Sequence, residues 1–468
     1  MPDQIRSDIA LLYRRAGFGL HADELDQRTG AGYEAAVEEV LAGLGNAPDP
    51  AGDAVEVPVF APYEQPTAAK GSPEALATRK AADRTVDEEL VALQLWWLDR
   101  MIVTSTPLRE KLTLFWHGHF ATGAAKVRDA KLMYLQNQLF RTAGAGGFEA
   151  LTQAVAKDGA MMLWLDTATD KKADPNENFA REMMELFTLG VGNYTQADVV
   201  AAAQAFTGWT YNRAEYRYVF RPAQHDYGVK TYLDHTGTFN GEDILSIAVN
   251  ESVSAHFVVA KLWSHFAYPV TPADPIVDDL VGAYGPSLSV AATLRAIFLH
   301  PAFRSPTRRG GLIKQPIEYL AGAARALGLD ARLEPQDGAA GAAGPAGPAA
   351  AAASATTAGP DGVTLPVLAT VLGQAPFNPP NVGGWGQNAY WLDTATAQLR
   401  LEAAAALARR ADLTQVEVAP ASDRLAAVAQ LLGIDGWGPT TTAALSPELG
   451  HPVKLVALAL TAPEYVLA

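Results

Sequence analysis

Residues 107–119 read Pro-Leu-Arg-Glu-Lys-Leu-Thr-Leu-Phe-Trp-His-Gly-His, preceded by a threonine at position 106. Thr106 is an N-cap residue type, and Pro107 suits the first helical position, where its missing N–H costs nothing. Leu108, Leu112, Phe115 and His119 then recur at i, i+4, i+7 and i+11, the spacing of one helical face. The segment is therefore an amphipathic helix, and a continued helix turns His119 into the core. His117 falls about 200° around on the other side. The two imidazoles can share a ligand only if the helix ends near Gly118, which glycine would allow. Otherwise His119 is a hydrogen-bonded core histidine and His117 packs on a second face.

The same signals recur outward along the chain. Ser72-Pro73 and Ser446-Pro447 repeat the cap-then-proline pattern. Thr195 with Asp198 resembles a capping box for a helix running to about Phe206, stopped by Gly208. Further helices are expected over Glu251–Phe266, Ser289–Leu299 and Thr394–Arg410. One β signal interrupts them: Tyr216, Tyr218 and Phe220 alternate with Arg217, Val219 and Arg221, then a turn-like His225–Gly228 leads to Val229–Leu233. The expected fold is mostly α, a large helical bundle-like body with a small inserted β-hairpin near 215–234. Gly45–Gly71, rich in Pro and Ala, reads as a linker. Residues 338–362 are low-complexity and read as a disordered linker, since they offer nothing to bury against their ordering entropy. The expected organisation is a main helical domain over 1–330 and a C-terminal helical region over 363–468 that packs on it.

Composition narrows the function. The chain has 468 residues, of which 49% are hydrophobic, enough for a large core. Its formal charge of −15 argues against a nucleic-acid or acidic-membrane partner. With no cysteine, thiolate-bound metals, iron–sulfur clusters and thiol nucleophiles are excluded, leaving a divalent metal on His, Asp, Glu or Asn as an option. Leu90–Val103, the most apolar long stretch, carries Gln94, Asp99 and Arg100 and reads as a buried helix rather than a transmembrane segment. The first residues show no signal-peptide pattern, so the expected location is cytoplasmic by default.

Three further segments carry candidate chemistry. In PNENFAREMMELFTLG, residues 175–190, Phe179, Met183, Leu186 and Phe187 form the apolar face, and Glu177, Arg181 and Glu185 form a four-residue ladder opposite. Glu182 falls inside the apolar arc. There a carboxylate must be metal-bound, raised in pKa, or paired with an arginine such as Arg14, Arg15 or Arg109. His225-Asp226, with Lys230 beyond, offers a base and its orienter or a pair of ligands. In PFNPPNVGGWGQNAYW, residues 376–391, Asn381 and Trp385 belong either to a tightly packed loop or to one wall of a cleft. KLWSHFAY at 261–268 shares a Leu-Trp-x-His-Phe flavour with LFWHGHF, too short to be a repeat. No phosphate-binding loop, dinucleotide fingerprint, nucleophile elbow or Glu-x-x-His pair is present.

Arg14-Arg15-Ala16-Gly17-Phe18-Gly19, LTLFWHGHF, PNENFAREMMELFTLGVGNYTQADV, AFTGW, HDYGVKTYL and PPNVGGWGQNAYW occur in that order. Together they resemble the bacterial family known as domain of unknown function 1800, over nearly the whole chain. Asp234 stands where that family usually has glycine. The resemblance implies a large helical protein without an assigned activity, often exported and often encoded beside a second uncharacterised family, so a protein partner is conceivable. Its motifs fall on His117, His119, Asn178, Glu182, His225, Asp226, Lys230, Asn381 and Trp385.

The functional expectation is a metal-dependent or acid–base hydrolase-like enzyme. His117, His119 and Glu182 would hold a divalent metal. Glu182, His225, Asp226 and Lys230 would serve as acid and base, while Arg181, Asn178, Asn381 and Trp385 would bind a small molecule. The alternative is a binding or assembly protein in which the same residues form a buried structural network, with the Trp-rich loop as a surface for a small molecule or partner protein.

Overall fold

The computed structural model describes residues 2–63, 72–334 and 362–468. The expected linker over 338–362 lies, apart from Gly362, outside the described residues, as do residues 64–71. The rest is mostly α-helical, with two two-stranded antiparallel sheets. The helices foreseen from caps and periodicity appear as Gln196–Phe206, Ser252–Phe266, Val290–Leu299 and Thr394–Ala408. Thr195 and Asp198 form the capping box. Ser72 accepts from the Ala75 amide above Pro73. Ser446 does otherwise: it opens a short 3₁₀ turn after the Pro439–Leu445 helix, and its hydroxyl bonds back to Thr442.

One apolar core gathers the first helices, Leu108–Phe120 and the helices between Phe148 and Phe303. A second joins Leu93–Ile102, Ile317–Leu329 and the C-terminal helices from Leu365 onward. The Pro107–His119 helix feeds both, through Leu112 and Phe115 into the first and Leu114 into the second. Arg15 ties the chain ends together by donating to the carbonyls of Phe303, Arg308 and Ala468 at 2.8, 2.6 and 3.1 Å. Among the described residues no single helix is long and apolar enough to cross a membrane.

The Pro/Ala-rich stretch departs from its expected linker role as far as residue 63. Asp49 is fully buried, accepts from the hydroxyls of Thr104 and Ser105 at 2.7 and 2.9 Å, and pairs with Arg109 at 3.2 Å. Beside it, buried Glu110 accepts from Arg100 at 2.8 Å, from Arg141 at 2.7 and 2.8 Å, and from Trp97 at 3.1 Å. Burial alone would raise the Glu110 carboxyl, but Arg141 and Arg100 outweigh it and hold the group at about 2.

The hairpin region also resolves differently in detail. Strand β1 (Trp209–Asn212) pairs with β2 (Arg217–Phe220), so the alternating tyrosine strand pairs backward, not forward with 229–233. That later segment forms its own hairpin, β3 (Lys230–Tyr232) with β4 (His235–Gly237). Leu233 and Asp234 adopt φ of +45° and +63° in the two-residue turn between them. Such turns need positive φ at both positions, a region that aspartate tolerates.

Candidate active-site cleft

The Pro107–His119 helix does not end at Gly118; it runs through His119, so its two imidazoles face apart. Gly118 is instead where a loop rests on the helix. The 383–387 loop lies directly on the helix, and a side chain at Gly384, with φ of +84°, would collide with the Gly118 carbonyl. The glycine at 384 thus lets the loop backbone touch the helix, and Trp385 lines the same cleft as His119.

A cleft of about 350 Å³ results, at the small end of ligand-site volumes. Apolar walls come from Leu114, Phe115, Phe257, Val270, Pro272 and Trp385. The polar lining is His119, Lys261, Ser264, His265, Gln315 and Gln387, with no carboxylate.

The segment 175–190 sets the geometry of the first two. It is not one continuous α-helix: an α-helix over Glu177–Glu182 passes into a π-helix over Met183–Thr188. The wider turn shifts the phase of everything after Glu182, and its last carbonyls become acceptors for side chains. Leu186 O accepts from Lys261 Nζ at 2.8 Å, and Phe187 O pairs with His119 Nε2 at 2.9 Å. A carbonyl only accepts, so Nε2 carries the imidazole hydrogen and Nδ1 is bare. That bare nitrogen stands 3.4 Å from Lys261 Nζ. Lys261 makes no ion pair among the described residues, and Phe257 lies 4.5 Å beneath its amine. Burial lowers Lys261 to about 8 and, with the nearby lysine, keeps His119 neutral.

His265 forms a second polar point. Gln374 donates to Gln315 Oε1 at 2.6 Å, which fixes the amide and turns Gln315 Nε2 toward His265 Nδ1 at 3.5 Å. The hydrogen of His265 is thereby placed on Nε2, a buried atom with no hydrogen-bond partner among the described residues, 3.9 Å from Glu318. Burial lowers His265 to about 4, against a smaller opposing effect of Glu318. Glu318 itself pairs with buried Lys111 at 2.9 Å. Trp385 likewise holds a buried indole N–H with no partner among the described residues.

The other expected residues lie elsewhere. His117 Nε2 pairs with Asn137 at 3.0 Å on the far side of its helix. Glu182 is half-buried, not enclosed in the core. It makes no ion pair with Arg14, Arg15 or Arg109; burial and then Glu185 raise its pKa, opposed by Arg181. His117, His119 and Glu182 are not brought together, and no three His, Asp or Glu side chains among the described residues are grouped to hold a metal ion. His225 Nδ1 pairs with Thr207 O at 2.8 Å, and the Thr207 hydroxyl accepts from the Asp226 amide at 2.8 Å. Lys230 is buried and donates to the carbonyls of Asp226 and Gly228 at 2.6 and 3.0 Å. These three hold the link between the hairpins together. Arg181 bonds Glu177 and Gln196, Glu185 accepts from Tyr194, and exposed Asn178 reaches Leu165 O. Asn381 accepts the Gly383 amide and shapes the loop, while Trp385 lines the cleft.

Of the expected residues, His119 and Trp385 therefore share the cleft. Lys261, His265 and Gln315 complete it without having been singled out. The likeness of KLWSHFAY to LFWHGHF was the available signal: each segment delivers one histidine to the same cavity. A family model described as "Protein of unknown function (DUF1800)" matches residues 11–467. No curated protein and no solved structure matches the chain.

Proposed function

The chain belongs to that family of unknown function, and we propose that it binds a small molecule in the Lys261 cleft and acts on it by acid–base chemistry, as a hydrolase-like enzyme would. One observation carries the reading. Lys261 has no carboxylate partner among the described residues, is held by Leu186 O, and faces the bare Nδ1 of His119 on the wall of a cavity large enough for a ligand. A buried amine without a countercharge is costly unless its state or a ligand compensates, and such groups cluster at working sites. Protonated, it supplies a cation for an anionic group; neutral, it is a base. The unpartnered N–H groups of His265 and Trp385 would give a ligand's acceptors two further anchors. The donor set does not fit a divalent metal, so no step passes through one.

The test is ligand-observed NMR with a panel of small carboxylates, phosphates and carbonyl compounds. Compounds that bind the parent should lose at least tenfold in affinity in Lys261→Met and in Trp385→Ala. Retained affinity in both variants would move the site elsewhere.

A binding or assembly protein without catalysis is the second reading. What favours it is that His117, His225 and Lys230 are each satisfied by Asn137 or backbone carbonyls, as a structural network would require. It predicts ligands that bind the cleft and leave unchanged.

A further inference from the structure

We propose that the Lys261 amine is a nucleophile that forms an imine with an aldehyde or ketone ligand in the cleft. The inference rests on the cleft reading above and goes past it, from proton transfer to a covalent bond.

The geometry is that of the amine and its two neighbours. Leu186 O at 2.8 Å can only accept, and His119 Nδ1 at 3.4 Å is an acceptor because Phe187 O holds the hydrogen on Nε2. A neutral amine has two N–H bonds and one lone pair. Both N–H bonds have acceptors, so the lone pair takes the remaining tetrahedral direction. Lys261 borders the cleft together with Ala260 and Phe257, its amine 4.5 Å from the centre of the Phe257 ring, and no carboxylate among the residues lining the cavity holds it as an ammonium ion. Burial favours the neutral form, lowering the group to about 8. The π-helical turn is what makes this possible, because it delivers the adjacent carbonyls of Leu186 and Phe187 to the lysine and the histidine together.

The reaction balances with these groups. The amine lone pair bonds the carbonyl carbon while the C=O π pair moves onto oxygen. One amine proton passes by way of His119 Nδ1 to that oxygen, giving a carbinolamine. The second amine proton follows the same route, the C–O bond breaks, and water leaves, so that the two protons and the carbonyl oxygen become the water and the C=N bond remains. His119 is thus a positioning and proton-carrying residue beside the nucleophile.

The experiment incubates the full chain with glyoxylate, reduces it with sodium borohydride, and maps the modified lysines by peptide mass spectrometry. Reduced adduct should accumulate at Lys261 at least tenfold faster than at exposed Lys454 or Lys126. Its rate should rise with pH through about 8. His119→Gln should slow labelling at Lys261 and leave Lys454 unchanged; Lys261→Arg should abolish that adduct alone. Because the rates are read within the parent, the outcome does not depend on a variant folding. Labelling of Lys261 no faster than Lys454 overturns the proposal. If the panel ligands still depend on Lys261 in that case, the imine is wrong and the cleft stands; if they do not, both fall.

Discussion

Of the places where the chain buries polar groups, two are treated oppositely: the one under the Asp49 loop and the one around the Lys261 cleft. At Glu110 the opposite charges touch: two arginines and an indole N–H surround one carboxylate. At Lys261 an amine has the Leu186 carbonyl, the His119 imidazole and the Phe257 ring for neighbours, His265 and Trp385 hold N–H groups without partners among the described residues, and all of these side chains but Leu186 line one cavity. The closed network satisfies itself and holds the fold. The open one lacks acceptors that a ligand could bring.

That contrast is easiest to break at its closed end. Glu110→Ala should cost about 3–5 kcal/mol by chemical denaturation, since it strands Arg100 and Arg141 in the interior. Lys230→Met removes two charge-assisted bonds to carbonyls and should cost about 1.5–3 kcal/mol, with ligand affinity unchanged because Lys230 lies outside the cleft.

Acid should separate the regions next. His265 sits at about 4 when folded against an ordinary 6.5, so the unfolded chain takes up the proton first. Its cost to stability therefore begins as pH falls below about 6.5 and is complete near 4. Glu110 is also depressed, from 4.5 to about 2, so its contribution is intact above 4.5 and is lost only as pH falls toward 2. Asp158, raised to about 7 by burial, works in the opposite direction. Denaturation of parent and His265→Gln at a series of pH values isolates the first effect: their difference should change between pH 6.5 and 4 and stay flat above 7.

At the open end the expected stability changes are small. Lys261→Met should stay within about 1 kcal/mol of the parent, because an apolar chain replaces a buried amine with no carboxylate partner among the described residues, and the lost bond to Leu186 O is offset by the burial cost removed. Its effect should appear in ligand affinity instead. Asn381→Ala, which removes one side-chain bond to the Gly383 amide, should cost about 0.5 kcal/mol. A large loss of stability in Lys261→Met, or a mild one in Glu110→Ala, would erase the distinction.

Much of the fold was legible because it is written in local chemistry. Caps such as Thr195 and Ser72, prolines at first helical positions, and apolar spacing in 108–119 each act within one or two turns. The site was half legible for the same reason. Periodicity turned His119 inward, and the Trp-rich loop was already a candidate wall. What failed depended on distance or on a change of period. The π-turn at 183–188 shifts Leu186 and Leu189 out of the phase that a 3.6-residue wheel gives them, so they do not enclose Glu182 as that wheel assigns. Gly118 reads as a helix stop unless one knows that Gly384 lies against it. Lys261 looks like any helical lysine until the Leu186 carbonyl, 75 residues earlier, is seen to hold it.

The most direct measurement is the titration of Lys261 itself, followed by ¹³C NMR of reductively methylated protein and assigned with Lys261→Arg. A midpoint near 8 is predicted, well apart from the exposed lysines. A midpoint near the ordinary 10.5 would make Lys261 a common ammonium ion and would contradict the account of the cleft.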